Sequence, residues 1–197
     1  MIRALKLLRR LRLVRDRSGI AAVEFALVLP ILLTLFLGSY ELSSLLLAYL
    51  KLESAAESAA DLVAQTVTGT VLQSTDFTNI TNAVDQIMVP FATSGNSMKI
   101  AYASVTYNTG SPVINWHTEV HGAPAISVSS LPHGAAATNM GTNSTADSVV
   151  VAQVTYSYAS PITYALATSY TLTEAAYVRP RYVACVPTYL NTNNVCP

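Results

Sequence analysis

The sequence carries little charge for its length. Charged residues make up 11% of its 197 residues, whereas hydrophobic residues make up 51%. A typical soluble domain has roughly 25% charged residues, and a membrane span is the usual reason for such a shortfall. The length suits one domain together with a membrane segment better than it suits two domains.

Basic residues are nearly absent beyond the N-terminus. Seven of the 11 Lys and Arg residues precede residue 18, and only four follow it. From Ile20 onward these four stand against ten acidic residues, so the body has a formal charge of −6. Nucleic-acid binding depends on clustered Lys and Arg, and an acidic body lacks them. We therefore expect no nucleic-acid partner.

Motifs of enzyme chemistry are also missing. The chain contains no phosphate-binding loop, dinucleotide fingerprint, nucleophile elbow or HExxH string. Its three histidines are His117, His121 and His133, and a strand would hold the first two more than about 12 Å apart. We expect no metal site, no cofactor and no enzymatic activity.

Cysteine is scarce, with Cys185 and Cys196 near the C-terminus. Two thiolates without nearby histidines fall short of the four ligands of a structural zinc site. If the body is exported to an oxidising compartment such as the bacterial periplasm, a disulfide between the two is expected. Closing so short a loop would contribute roughly 3 kcal/mol in the chain-entropy account.

An apolar stretch begins near the N-terminus. From Ile20 to Tyr40 the chain has 21 residues with a single charge, that of Glu24, and a helix needs roughly 20 residues to cross a bilayer. Because the basic flank is N-terminal, the positive-inside rule keeps residues 1–19 in the cytoplasm and exports the body. We therefore predict a basic leader at 1–19 and a transmembrane segment at 20–40.

Helical periodicity continues past the membrane segment. Residues 41–65 contain no Gly or Pro and are rich in good helix formers. Apolar residues recur there at spacings of three and four, which predicts an amphipathic helix covering a globular core. This stripe comprises Leu42, Leu45, Tyr49, Leu52, Ala56, Ala59 and Val63. We predict one helix from residue 20 to about residue 66, roughly 70 Å long.

The remaining sequence, 67–197, predicts a small α+β body. Apolar spacing indicates a short helix from about Thr78 to Met88, ended by Pro90. Alternating Tyr-, Val- and Thr-rich segments then indicate an antiparallel sheet. The predicted strands are Lys99–Tyr107, Val113–Val120, Ser148–Tyr158 and Tyr170–Val178. Residues 122–145 read as a long loop, in which Ala125–Ser129 has the composition of one short strand. The fold class is α+β, with residues 41–66 as the extramembrane continuation of the helix.

A glutamate stands close to the start of the apolar run, in the string Ser18-Gly19-Ile20-Ala21-Ala22-Val23-Glu24-Phe25. An ionisable residue in a membrane helix is costly, which makes it a functional hypothesis by default. Cleavage after Gly19 would give Ile20 a cationic α-amino group at neutral pH. The Glu24 carboxylate of one subunit could then pair with the amine of its neighbour and fix the axial register of bundled helices.

The spacing of Gly19, Glu24 and the following apolar run resembles the type IV prepilin motif. The longer string RSGIAAVEFALVLPILLTLFLGSYELS is similar to the N-terminus of TadE/TadG-like proteins, the minor pilins or pseudopilins of the Flp (tight adherence) pilus. A weaker similarity recurs at Arg179-Pro180-Arg181 followed by Cys185. The resemblance is strongest over residues 17–50.

The resemblance implies a pilin-like fold, cleavage between Gly19 and Ile20 by a prepilin peptidase, and a part for Glu24 in assembly. It implies other Flp/Tad pilins, the inner-membrane assembly platform and membrane lipid as partners. The expected location is the bacterial inner membrane, with the body in the periplasm or the protein carried into the fibre. The major Flp pilin is a very short chain, so the long body argues against a main structural subunit.

Pro30 lies inside the predicted membrane helix and allows two interpretations. A proline removes one helical hydrogen bond and can kink the axis, which membrane helices tolerate. It is either a flexible point used when the subunit leaves the bilayer, or an ordinary transmembrane proline. The sequence favours neither.

Two other functions stay open beside the minor pilin. One is a periplasmic protein of unrelated function, including an enzyme, held by an uncleaved signal anchor. The other is a secreted protein with an ordinary signal peptide, whose apolar region is usually 7–15 residues and ends at a small-x-small site. The apolar run from Ile20 is longer than that, and it continues into a helix, so the sequence fits a secreted protein with an ordinary signal peptide poorly.

Overall fold

The computed structural model describes residues 19–91, 93, 97–108, 111–137, 140, 148–164 and 169–190. Residues 1–18 of the expected leader therefore lie outside the described residues, as does Cys196. Within the described residues the chain forms one very long helix, one short helix and a four-stranded sheet. The predicted α+β fold is confirmed.

The first helix, α1, runs without interruption over Ile20–Ala64. Its N-terminal half is apolar on all sides and almost entirely exposed, whereas its C-terminal half packs against the body. The Gln65 N–H donates to the carbonyl of Asp61 at 3.0 Å and closes the last turn. Gly69 then turns the chain with a φ of +87°, a region that glycine enters without strain. The observed helix ends two residues before its predicted limit.

The second helix, α2, spans Ser74–Asp85 and continues as a 3₁₀ turn over Gln86–Met88. It starts four residues before the predicted Thr78. The reason is a capping box, in which the Gln73 N–H donates to Oδ2 of Asp76 at 2.7 Å and the Gln73 side chain accepts from the Asp76 backbone.

Four antiparallel strands form a single sheet in the order β2-β1-β3-β4. They are β1 at Met98–Asn108, β2 at Ser111–Val120, β3 at Val149–Tyr158 and β4 at Tyr170–Val178. Each predicted strand is confirmed to within two residues at either end. The predicted short strand at Ala125–Ser129 is wrong, because Val128–Ser130 forms an exposed 3₁₀ turn, and the flanking Ile126 and Leu131 pack in the buried cluster on the sheet.

The sheet is buried on both faces, and period-two alternation divides its side chains between two clusters. On one face Ile100 and Tyr102 join α1 and α2, where Phe77 packs on Tyr102 and on Trp116 with ring centroids 5.2 and 5.6 Å apart. On the other face Ala103 and neighbouring side chains lie under the connection between β2 and β3.

The buried face of α1 agrees with the predicted stripe only in its C-terminal part. The fully buried positions are Glu41, Ala48, Leu52, Ala55, Ala56, Ala59, Ala60, Val63 and Ala64. Leu45 is half-buried. Leu42 and Tyr49 are exposed, so the prediction that these two residues lie on the packed face is wrong. Near the membrane segment leucines occur around the whole helix, and their spacing no longer identifies one face.

Candidate functional site

The N-terminus of α1 contains the residues of the expected processing site. Gly19 is the N-cap, with φ −79° and ψ −16°, and Ile20 is the first helical residue. A Cβ built on Gly19 meets no atom within 4 Å among the described residues. Neither its backbone conformation nor the packing of this part of the chain requires glycine at this position.

Glu24 lies in the second turn of α1, on the exposed surface. Among the described residues it forms no hydrogen bond or ion pair, so the folded chain does not supply it with a partner. The carboxylate is thus available for a group from outside the chain, and the structure does not test the assembly role expected for it.

Pro30 is accommodated within a continuous helix. One turn later the Thr34 hydroxyl donates to the carbonyl oxygen of Pro30 at 2.9 Å. Bonds of this kind from Thr to the preceding turn are common where a helix is locally distorted. This bond gives the Thr34 hydroxyl a partner within the helix at a depth where, in a bilayer, water would be absent.

The sequence analysis missed a second carboxylate in α1, that of Glu41. Its side chain is fully buried where the helix meets the body. Oε1 accepts a hydrogen bond from the Ser160 hydroxyl at 3.1 Å and another from the Tyr164 N–H at 2.5 Å. Burying a carboxylate is unfavourable unless hydrogen bonds replace its hydration, and these two donors from the β3–β4 loop do so.

The same loop reaches further along α1 toward its N-terminus. The Tyr164 hydroxyl lies 3.2 Å from Oγ1 of Thr34. Because Thr34 donates its hydrogen to Pro30, Tyr164 is the donor in this contact. Thr34 and Glu41 are seven residues apart, or about 10 Å along the axis, so the loop is held at two levels of the helix.

Further contacts fix the C-terminal half of α1 on the body. Lys51 Nζ donates to the carbonyl of Ile87 at 2.9 Å, where a cation is favourable at the end of a helix. The Arg181 side chain donates through Nη2 to Oδ1 of Asp61 at 2.5 Å. The backbone N–H of Arg181 donates to the carbonyl of Ala64 at 3.0 Å. The Arg179-Pro180-Arg181 segment therefore closes the C-terminal end of α1.

A groove of about 700 Å³ runs along the contact between α1 and β4, and acidic side chains form part of its lining. They are Glu53, Glu57, Asp61 and Glu174, with Arg181 at one end. A hydrogen bond from Tyr49 to Glu174, with the negative charge of that carboxylate, raises the pKa of the Tyr49 hydroxyl above its ordinary value. The groove carries part of the negative charge of the body.

The histidines and cysteines bring no further chemistry together. Among the described residues no group of three or more His, Cys, Asp and Glu side chains could hold a metal ion. His117 Nδ1 contacts Oε1 of Glu119 at 2.6 Å on an exposed strand surface. Cys185 lies near the Ser104 hydroxyl at 3.6 Å, and its expected bond to Cys196 involves a residue outside the described ranges and stays a prediction.

These features define a class of protein. A 45-residue helix has an exposed, apolar first half and a second half that packs on a small antiparallel sheet, which makes the chain an α+β protein with a candidate membrane anchor. Among the described residues, α1 is the one helix long and apolar enough to cross a membrane.

The family comparison gives a narrower result. Residues 19–61 match the family model described as TadE-like protein, which confirms the resemblance to TadE-like proteins over this segment. The match begins at Gly19 and ends three residues before α1 ends, so it covers the helix and none of the sheet. No curated protein and no solved structure matches the chain.

Proposed function

We propose that this protein is a minor pilin or pseudopilin that takes part in assembly of the Flp (tight adherence) pilus. The observation that carries the proposal is the TadE-like match over residues 19–61, because it coincides with the helix that would anchor and bundle the subunit. Involvement in a Tad-type pilus system is what this match supports most directly, and the finer role rests on the following arguments.

Processing by a prepilin peptidase after Gly19 explains two local features. The helix begins at Ile20, directly after the proposed scissile bond. Among the described residues no atom lies within 4 Å of a Cβ built on Gly19, and its φ is negative, so a demand for glycine would come from an external protein such as the peptidase. Cleavage would also remove seven of the 11 basic residues and leave an acidic subunit.

Glu24 then acquires a role after cleavage. It has no partner among the described residues, and in a bilayer such a group is unfavourable. The α-amino group that cleavage creates on Ile20 of an adjacent subunit is a cation of the required charge. Pairing between subunits would offset the burial of Glu24 and set the axial register of the helices.

The body favours a minor component over the main fibre subunit. It adds a sheet with two buried faces and a second helix to the TadE-like segment, whereas the major Flp pilin is a very short chain. The proposed partners are therefore the prepilin peptidase, other Flp/Tad pilins and the inner-membrane assembly platform. We place residues 1–19 in the cytoplasm before cleavage and the body in the periplasm.

Mass spectrometry of the mature N-terminus in a piliated host tests the proposal. A chain that begins at Ile20 is the expected result. An intact Met1 would favour the signal-anchored protein of unrelated function, and a start beyond residue 40 would indicate an ordinary secreted protein. Deletion of the gene should in addition lower the amount of assembled fibre, because the proposed role is in assembly.

A further inference from the structure

The β3–β4 loop lies beside the helix segment that would cross the membrane. Its two anchoring contacts are at Glu41, just past the apolar run, and at Thr34, within it. Thr34 precedes Tyr40 by six residues, or about 9 Å of helix. If the bilayer covers Ile20 to Tyr40, the side chain of Tyr164 must therefore enter it.

The composition of this end of the body suits contact with a bilayer. No charged residue occurs between Val154 and Thr173. The exposed or half-exposed apolar side chains around the loop form a membrane-proximal rim. The rim comprises Val89, Pro90, Phe91, Pro161, Ile162 and Tyr164. Pro90, Phe91 and Pro161 also line a largely apolar cavity of about 690 Å³ against Tyr40 and Leu47 of α1.

Polar groups that enter a bilayer need partners within the protein. The Tyr164 hydroxyl donates to Thr34, which in turn donates to the Pro30 carbonyl. The Tyr164 N–H is bonded to the buried Glu41 carboxylate. The hydroxyl and the N–H of Tyr164 thus have partners within the protein, while the residue as a whole is 54% exposed. Tyrosine is enriched at membrane–water interfaces for this combination of an apolar ring and a polar end.

We propose that the membrane-proximal rim is a lipid-contacting surface, by which residues 159–164 of the β3–β4 loop insert into the bilayer interface and hold the body on the membrane. The occupant is the phospholipid leaflet on the body's side, because the rim is continuous with the spanning helix through the Thr34–Tyr164 contact. This proposal rests on the membrane anchoring in the proposed function, and adds that the body itself touches lipid.

The function of this contact is to fix the orientation of the body before the subunit leaves the membrane. A helix alone allows the body to rotate and tilt above the bilayer. The Glu41 hydrogen bonds hold Ser160 and Tyr164 against α1, so insertion of Ile162 and Tyr164 defines one side of the helix that must face lipid. Another side of the helix, with exposed Leu42 and Leu46, stays available to other helices.

Quenching by brominated phospholipids tests the proposal in the full chain, reconstituted in nanodiscs of phosphatidylcholine and phosphatidylglycerol. The probe is Ile162→Trp, and the control is Val67→Trp, which is similarly exposed. Val67 lies three residues past Ala64, the last residue of α1, which is about 36 Å beyond Tyr40 along the helix axis. Both carry Trp116→Phe, which removes the native tryptophan. We expect at least threefold stronger quenching, and bluer emission, for the Ile162 probe.

Equal quenching of the two probes would overturn the proposal. So would protection of the Ile162 probe from aqueous iodide without bromolipid quenching, because protein would then cover the loop. If Trp116→Phe impairs folding, the probes are compared in the native background after subtraction of the Trp116 signal. If the chain fails to copurify with nanodiscs, membrane anchoring is wrong as well. If the chain copurifies but the Ile162 probe is not quenched, only the proposed lipid contact is wrong.

Discussion

The backbone N–H of Tyr164 donates to Oε1 of Glu41 at 2.5 Å, across 123 positions of sequence. This bond joins the connection between the last two strands to the point where α1 leaves the proposed membrane segment. The Ser160 hydroxyl donates to the same oxygen, so one buried carboxylate organises the loop. The position of the body relative to α1 depends on this contact and on the buried alanines of α1, which lie C-terminal to Glu41 and pack against the sheet.

Replacing Glu41 by alanine should destabilise the body and release the β3–β4 loop. The variant leaves the buried Ser160 hydroxyl and the part-buried Tyr164 N–H without their acceptor, and the loss of an acceptor for a buried donor costs roughly 1–3 kcal/mol. Glu41→Gln retains a carbonyl oxygen and should cost less. Urea unfolding of the detergent-solubilised chain measures both, and protease cleavage near residue 162 reports the loop. The control is Glu53→Ala on the exposed face, expected within about 0.5 kcal/mol of wild type.

Gly19→Val should abolish or strongly slow removal of the leader, while the folded body keeps its stability. The structure leaves open space for the added side chain, so a loss of cleavage would reflect the peptidase and not misfolding. Immunoblotting of precursor and mature forms measures the effect. Glu24→Ala is the matched variant, expected to be cleaved and yet to lower piliation at least several-fold. Normal piliation in that variant would contradict the pairing proposed for Glu24.

Ala59→Leu should destabilise the protein by about 1–3 kcal/mol, because extra methylene groups in a close-packed core force side chains and backbone apart. Ala59 is fully buried in the face of α1 that packs against the sheet. Ser54→Leu, at an exposed position of the same helix, introduces the same side chain without the clash. Urea unfolding of the two variants separates overpacking from helix propensity, and equal stability would show that this face is not closely packed.

Asp85→Asn should stabilise the protein at neutral pH. Burial raises the pKa of the Asp85 carboxyl, and the charge of His121 offsets part of that rise. Its Oδ1 has no hydrogen-bond partner among the described residues, and the residue ends α2, where a negative charge opposes the helix dipole. Because the pKa is higher in the folded state, wild-type stability is greatest below the unfolded pKa and falls as pH rises through the folded one.

The advantage of Asp85→Asn should therefore be present at pH 7 and vanish below about pH 3.5. Its size is expected to be about 0.5–1 kcal/mol, at the lower end for an unsatisfied group, since the carboxyl is only partly buried and solvent screens it. Thermal unfolding over this pH range measures the difference. Glu57→Gln, on the exposed face of α1, is the matched control for the removal of one carboxylate.

Much of the fold could be predicted because its elements have simple periodic patterns. The continuous helix from Ile20 follows from an apolar run joined to alanine- and leucine-rich sequence without breakers. The strands follow from alternation, and Tyr170–Val178 was predicted with its observed limits. The start of α2 was missed because its capping box uses Gln73 and Asp76, a pair less typical of a helix N-terminus than Ser or Thr with Glu.

The candidate site was predicted less completely than the fold. Gly19, Ile20 and Glu24 are recognised by spacing and by the adjacent apolar run, and all three lie in the first turns of α1. Glu41 was overlooked, although one signal could have found it. It precedes Ala48 by seven residues and Leu52 by eleven, so extending the buried stripe toward the N-terminus places this charged residue on the packed face.

The sequence alone determined that this chain has a basic N-terminus, one apolar run of membrane-spanning length and a helix that continues past that run. Charge, hydropathy and periodicity are patterns of neighbouring residues, so they can be read directly from the sequence. Only the tertiary structure decided which face of α1 is buried and what accompanies it. Near the membrane segment leucines surround the helix, so the buried side is set by where Ser160 and Tyr164 arrive from more than 100 residues away. Helical spacing can place Glu41 on the packed face, but it cannot identify donors that are more than 100 residues away in the sequence.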